Sequence, residues 1–481
     1  MEKKKVSHEI PPLWRKVMIA YLALAAYMVL FFAIAGEDIE LKTTETDMVT
    51  AIGNVGEILD DRTLEQNFTA EQQKLTGVIM SVGTYSDREG NEGTLTVEVK
   101  DESGNVLASC TKNVAKLSDG ENEFVFDNPI TEAEGKSYVL SVSADGTSEG
   151  KAVTINYGYQ EDEEHLLVID GEESEQELLF SVVGKVPDAF GPFFKWGLIL
   201  GLAALGLYLL YLPAAVKKGK NPYGMRIINA FHQYRFLMGQ LVSRDFKVRY
   251  KRSILGVMWS FMNPLLTMIV QYFVFSTIFR SGIKNYIAYL LIGITFFNFY
   301  IESTNNGLLS ITSNASLIKK VYVPKYIYPV SKTMSASINF AISIGLMLII
   351  SFITGVRPTR YFLLLPYVIV CIFILNIGVS LILATYMVFF HDVQFIYSIM
   401  VTLLSYATPM FWDMSMMPAK YQQILQLNPL CAIITCARSL LLDGRFMGSR
   451  LAVYALVIPL VLFLFGAYVF RKHQDEFVLY I

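Results

Sequence analysis

Charge is scarce in this chain. Charged residues make up 17% of its 481 positions against 53% hydrophobic, with a mean hydropathy of +0.41, a balance that excludes an ordinary soluble enzyme. Cysteine is scarce too: of the four present, only Cys110 falls within residues 37–190, so no disulfide framework can form there. No CxxC or Cys/His spacing suits a structural zinc, and the five histidines are scattered without a His-Glu-x-x-His, so no metal ligand is named. No nucleophile motif is present and no catalytic residue is assigned. A Gly-x4-Gly-Lys-[Ser/Thr] loop is also missing. Gly135-Lys136-Ser137 resembles its tail, but Ile130 stands where the first glycine belongs. The chain is therefore expected to bind no cofactor itself.

What charge there is divides sharply. Residues 37–190 hold 34 of the 43 Asp+Glu but only 10 of the 40 Lys+Arg, a net of −24, which leaves the remainder at +21. The basic remainder carries the apolar runs. A span needs about 20 apolar residues to cross a ~30 Å hydrocarbon core, and Val17–Ala35 and Trp196–Val216 qualify. Further runs lie near 256–279, 286–308, 336–354, 361–389, 395–412 and 451–470, eight spans in all. Lys3, Lys4, Lys5, Arg15 and Lys16 precede the first span and Glu37, Asp38 and Glu40 follow it, so the positive-inside bias places both termini in the cytoplasm and residues 37–190 outside the cell membrane. A competing reading treats the first run as a cleaved signal peptide, because Ala33-Ile34-Ala35 makes an A-x-A site before Gly36. Its 19 apolar residues exceed the ~7–15 of a signal core, which favours a retained anchor.

Between the first two spans the hydrophobic period changes. Leu95, Val97 and Val99 alternate with Thr94, Thr96, Glu98 and Lys100, a half-buried strand, and a turn follows at Asp101–Asn105. Further strands are expected near 75–82, 106–110, 123–127, 137–143, 152–158, 166–169 and 178–182, giving an antiparallel β-sandwich. Through Leu75-x-Gly77-Val-x-Met-x-Val82-Gly83-Thr84-Tyr85 and Gly93-Thr94-Leu95-x-Val97 the region resembles the jelly-roll modules of carbohydrate-active proteins. Tyr85, Tyr138, Tyr157 and Tyr159 are the candidates for stacking on sugar, although Tyr157 and Tyr159, two apart on one strand face, equally suit sheet packing.

After the second span, Ile227, Phe231, Tyr234, Met238 and Leu241 form one helical stripe beside Arg235, Arg244, Lys247, Arg249, Lys251 and Arg252, an amphipathic segment over 221–255 suited to an anionic membrane surface. Glu302, an acid inside an apolar run, must face protein or water. It suits a pore wall or a hydrogen bond to a neighbouring helix.

Three stretches then become specific: Leu241-Val-Ser-Arg244-Asp245-Phe-Lys247-Val-Arg249-Tyr250-Lys251 continuing to Trp259 and Asn263-Pro264; Leu317-Ile-Lys319-Lys320-Val-Tyr-Val-Pro324-Lys325-Tyr-Ile-Tyr-Pro329; and Asn428-Pro429-Leu430. In this order they resemble the ABC-2 transporter permeases that export polysaccharides, the O-antigen and wall teichoic acid exporters. The resemblance covers about residues 222–481. It implies an all-α membrane bundle of six core helices over 256–481, here with two added N-terminal helices (1–36 and 191–220) and the inserted β-sandwich of 37–190. It also implies a homodimer, two copies of a separate ATP-binding cassette ATPase that binds ATP and Mg, a lipid-linked polysaccharide as cargo, membrane lipids as surroundings, and no nucleic acid.

Carried over residue by residue, Leu317, Lys319, Lys320, Pro324 and Lys325 become candidate ATPase contacts in a coupling element bounded by its two prolines. Arg244, Asp245, Lys247, Arg249, Tyr250, Arg252 and Trp259 become the gate helix beside the cargo's entrance, with Asp245 an ion-pair partner that fixes the helix. Tyr272, Phe296, Phe297, Tyr300, Tyr406, Phe411 and Trp412 become candidate pore aromatics, most of which also suit packing or lipid contact. The stretch Asp413–Arg450 resembles the family's short re-entrant helices. Two rival readings are an ABC exporter of small molecules or lipids, and a membrane-anchored glycan receptor or scaffold. Association with an ATPase separates the last from the rest.

Overall fold

The computed structural model describes every residue except 1–11, 47, 49, 61, 86–89, 160–166, 175, 221, 252, 280–282, 284 and 322. The chain divides into a helical unit, Met1–Ile39 with Pro192–Ile481, and a β-unit, Glu40–Gly191.

In the helical unit the apolar runs become helices: α1 (Pro12–Ala35), α2 (Gly191–Lys217), α3 (Tyr223–Tyr250), α4 (Trp259–Phe279), α5 (Tyr286–Leu308), α6 (Ala315–Lys320), α7 (Ile327–Ile353), α8 (Leu365–Phe389), α9 (Val393–Ala407), α10 (Ala419–Gln426), α11 (Pro429–Leu441), α12 (Ser449–His473) and α13 (Phe477–Tyr480). Among the described residues seven helices are long and apolar enough to cross a membrane, or eight if the bent pair α10–α11 counts as one. The chain is thus a multi-pass membrane protein. One expectation changes. The run at 395–412 folds as α9, whose 15 residues reach only about 22 Å, short of a bilayer core. Pro409 is the reason, because the residue before a proline is driven out of helical geometry, and Thr408 is extended at ψ 123°.

Helix α5 is the most enclosed of the spans, with 78% of its apolar window buried. Between α8 and α12 a close approach depends on glycine: a Cβ on Gly378 would meet the Phe463 backbone at 2.7 Å, and one on Gly466 the Gly378 carbonyl at 2.5 Å. The added helices are not peripheral to this bundle. Phe31 of α1 is fully buried and packs against Phe194, Tyr367 and Phe446. The Tyr27 hydroxyl donates to the Leu364 carbonyl at 3.3 Å, and Ser449 Oγ to the Ile39 carbonyl at 2.6 Å. At the other end of α1, Trp14 Nε1 donates to the Leu209 carbonyl of α2 at 3.2 Å.

The β-unit holds two antiparallel sheets. One orders Leu41–Glu45, Phe180–Pro187, Lys74–Gly83, Thr154–Tyr159 and Gln176–Leu178, with Gly120–Thr131 and Gly53–Asn54 attached. The other orders Glu172–Ser174, Leu167–Ile169, Thr63–Thr69, Ser137–Asp145, Thr94–Lys100 and Val106–Asn113. Alternation drives this: Thr94–Lys100 buries every second residue, and Leu64, Phe68, Val97 and Leu140 of one sheet share a core with Leu75, Val78, Met80 and Val182 of the other. The strand Leu41–Glu45, absent from the expected set, pairs with Phe180–Pro187, so the two ends of the inserted segment are neighbours.

Candidate functional site

Helix α6 is a short stub supported from below. Its Ile318 is buried with Met238 and Leu241 of α3, Tyr328 of α7 and Phe470 of α12. Asn314, just before it, donates to the Ser310 carbonyl at 2.8 Å and accepts from Arg244 Nη2 of α3 at 3.2 Å. Lys319, Lys320 and Val321 stand exposed at the tip, while Leu317 is half-buried. The prolines do not bound this stub as expected: α6 closes before Pro324, and Pro329 is buried in the first turn of α7. Lys325, another of the candidate ATPase contacts, is engaged within this chain. It donates to the Gln474 carbonyl and lies 5.7 Å over the ring of the fully buried Phe477, and burial holds its ammonium below the usual lysine range, against the opposing pull of Asp475. Lys325 ties the segment after α6 to the C-terminal helix α13.

The gate residues fall into two ion-pair groups on α3. Asp245 is held between Arg244 Nη2 at 3.1 Å and Lys332 Nζ of α7 at 2.8 Å, an ion-pair arrangement that links α3 to α7. One turn on, Arg249 Nη1 meets Glu302 Oε1 of α5 at 2.6 Å. The same carboxylate oxygen accepts from Asn339 Nδ2 of α7 at 2.9 Å, and Ser260 Oγ of α4 donates to Asn339 Oδ1 at 3.1 Å. Glu302 thus joins α3, α5 and α7 through one carboxylate oxygen, and Asn339 extends the link to α4. Lys247 is exposed and Trp259 half in the open; the Tyr250 side chain and Arg252 lie outside the described residues.

The candidate aromatics do not form one surface. Phe296, Phe297 and Tyr300 are buried within the single chain, Phe296 packing edge-on against Phe340, because α5 is enclosed by its neighbours. Tyr272 and Tyr406 are exposed, Trp412 is buried, and Phe411 stacks on Phe275 at 4.3 Å. In the β-unit Tyr138 is a core residue against Phe68 and cannot offer a face to a ligand, since it points inward from its strand. Tyr157 packs partly against the same core, Tyr85 sits at φ 47°, and only Tyr159, 74% exposed, presents its ring.

A further residue, Arg438 of α11, was not singled out by motif, although a lone cation in the apolar run Pro429–Leu441 was the available signal. It is 7% exposed and stacks 3.4 Å from the Tyr289 ring. Its Nη1 donates to the Pro409 carbonyl at 2.5 Å, and its Nη2 to those of Met410 and Tyr289 at 3.0 and 3.2 Å. Tyr286 and Tyr289 hydroxyls donate to the Phe411 and Trp412 carbonyls at 2.6 and 2.7 Å. Together these groups satisfy the non-helical stretch after α9, the condition for such backbone at membrane depth. Gly293 makes room, since a Cβ there would come within 2.9 Å of Arg438 Nη2 and 3.3 Å of the Met410 backbone. Beyond it α10 and α11 meet at 98°, with the Asn428 side chain accepting from Leu430 N at 3.0 Å and Pro429 opening α11.

Residues 237–442 match the family described as ABC-2 type transporter. The chain is 31% identical over 242 residues to the O-antigen export system permease protein RfbA of Klebsiella pneumoniae, a span of 50% of this chain and 93% of that protein. It is 29% identical over 255 residues to the protein of the same name from Myxococcus xanthus, covering 53% and 98%. Over 250 residues it is 20% identical to the polysialic acid transport protein KpsM of Escherichia coli, covering 51% and 97%. The family match begins after the β-unit and α2.

Proposed function

The chain belongs to the ABC-2 type transporter family, and from that premise we propose that it is the permease of an ABC exporter that moves a lipid-linked cell-surface polysaccharide outward. It works as a homodimer driven by two copies of a separate ATPase, which carry the ATP and Mg. In this reading the termini and α6 face the cytoplasm, the β-unit faces outward, and Tyr159 is its first candidate for contact with the emerging glycan.

The observation that carries the reading is the support beneath α6. An exposed tip of Lys319, Lys320 and Val321 combines charge with apolar surface for docking on a partner. A push there reaches Asn314, then Arg244, then Asp245 and Lys332, so α3 and α7 move with it. Arg249 and Glu302 carry the same displacement to α5, and Asn339 and Ser260 carry it to α4. Nucleotide-driven motion of the partner is thereby delivered to the helices around the path. The test is to purify the full chain in mild detergent and identify what accompanies it. A stoichiometric ATPase whose recovery falls at least tenfold, about 1.4 kcal/mol, with Lys319→Glu/Lys320→Glu supports the reading. Its absence, or recovery unchanged by that pair, opposes it.

A further inference from the structure

Helices α1, α2 and α12 contain no acidic residue, and one end of each meets at a common corner of the helical unit. Trp14 and Val17 of α1, Leu212 and Val216 of α2, and Met225 and Ile228 of α3 share an apolar core there. The Tyr208 hydroxyl accepts from Gly224 N at 3.1 Å, which fixes the turn between α2 and α3, and Arg471 of α12 stacks 4.6 Å from the Tyr223 ring. Around this core Arg15 and Lys16 of α1, Lys217, Lys218 and Lys220 at the end of α2, and Lys472 beside Arg471 are exposed. Backbone amides already close α2. Gly219, at φ 75°, donates to the Val216 carbonyl and Lys220 N to that of Ala215, each at 3.0 Å, so no ammonium is needed to cap the helix.

Six cations on acid-free helices fit an anionic partner, and the side chains next to them narrow its kind. Leu207, Leu210 and Tyr211 of α2 and Ile19 and Leu22 of α1 are exposed. Leu207 lies about 15 Å along the helix from Lys217 at ~1.5 Å rise per residue, so apolar surface runs directly on from the charge. A nucleic acid or an acidic protein matches the cations but not that surface. A phospholipid with an anionic head matches both, its phosphate at the lysines and its tails along the leucines. Trp14 and Tyr211 supply the aromatic anchors of such an interface. All of these cations except Lys472 lie before residue 237, where the family match begins, and so outside the part that ABC-2 permeases share, which favours a lipid of the bilayer over the carrier of an exported polymer. We infer that this corner is a docking surface for anionic phospholipid. The bound lipid holds the added helix pair at one depth in the bilayer, and it does so whether or not the chain exports a glycan.

The test is native mass spectrometry of the full chain in mild detergent, titrated separately with phosphatidylglycerol, phosphatidylcholine and farnesyl diphosphate. Each cation beside an anionic surface contributes roughly fivefold. Phosphatidylglycerol is therefore expected to be retained at least about tenfold more tightly than phosphatidylcholine, and the Lys217→Gln/Lys218→Gln/Lys220→Gln variant to lose that preference. Arg15→Gln/Lys16→Gln, on the other helix of the pair, should weaken it severalfold, which keeps the test open if the triple variant folds poorly. Lys116→Gln/Lys136→Gln/Lys151→Gln removes the same charge from exposed positions of the β-unit and should leave the preference in place. Equal retention of the two phospholipids overturns the inference, as does a preference that survives both variants of the helix pair. Displacement of phosphatidylglycerol by equimolar farnesyl diphosphate also overturns it, by assigning the corner to an isoprenoid diphosphate carrier instead.

Discussion

In the β-unit, ion pairs such as Lys151–Glu92 at 2.7 Å and Arg62–Asp170 at 3.3 Å lie where water reaches both partners. In the helical unit Asp245, Glu302 and Arg438 each hold two or more groups from separate segments of chain. The difference is one of alternatives. A surface carboxylate that loses its lysine returns to water at little cost, whereas a carbonyl in the Pro409–Trp412 stretch that loses its donor has none to replace it. Charge is plentiful where it matters little for folding, and rare where each one decides a junction.

The sharpest way to break this comparison is Arg438→Met. It strips the donor from three carbonyls and should cost roughly 3 kcal/mol or more, seen as a lower melting temperature of the detergent-solubilised chain. Arg438→Lys should restore only part, because an ammonium lacks the planar fork. A melting temperature unchanged by Arg438→Met would place the helical unit on the same footing as the β-unit.

Next comes Gly77→Ala in the β-unit, whose Cβ would fall 2.4 Å from the Phe124 carbonyl oxygen. A loss of about 2 kcal/mol is expected, read from the β-signal in circular dichroism while the helical signal holds. It would show that the β-unit is sensitive to backbone fit where it is indifferent to charge.

Third, a double-mutant cycle on Arg249→Gln and Glu302→Gln should return a coupling of about 1 kcal/mol, since side-chain exposures of 38% and 24% temper the pair. Additive losses would remove Glu302 from the chain of contacts leading from α6.

Acid gives a fourth comparison. Backbone and side-chain hydrogen bonds from Thr147 hold Asp60 below the usual carboxylate range, and those from Asn105, its side chain first, do the same for Asp101. A carboxyl with a depressed folded pKa contributes stability above its unfolded value of about 3.9 and loses it as pH falls through the folded value. The β-signal should therefore weaken below about pH 4, less steeply in Asp60→Asn. The smallest effect is expected for Lys151→Ala, within about 0.5 kcal/mol.

Much of the fold was legible because it rests on period and length. Leu95, Val97 and Val99 declare a strand by alternation, and the run at 361–389 declares a span by its apolar length. Short motifs also located α6 and the acid at Asp245. The roles of individual residues were less legible. Lys325 carries the same charge as Lys319, yet it anchors α13 while Lys319 stays in the open. Tyr138 reads like Tyr159 but is core. Pro409 is a helix breaker in plain view, yet the apolar run through it has the length of a span.

By itself the sequence determined the two-body organisation, the β-sandwich, the apolar helices and the family, because hydrophobic period, run length and motif order are properties of neighbouring residues along the chain. Only the tertiary structure decided which charges act together. In the group of Arg249, Glu302, Asn339 and Ser260 a single hydrogen bond, Ser260 to Asn339, spans 79 residues, and Arg438 reaches a carbonyl 149 residues away. Pairings of that kind are set by how helices pack in three dimensions, where a desolvated polar group must find a partner wherever the fold brings one.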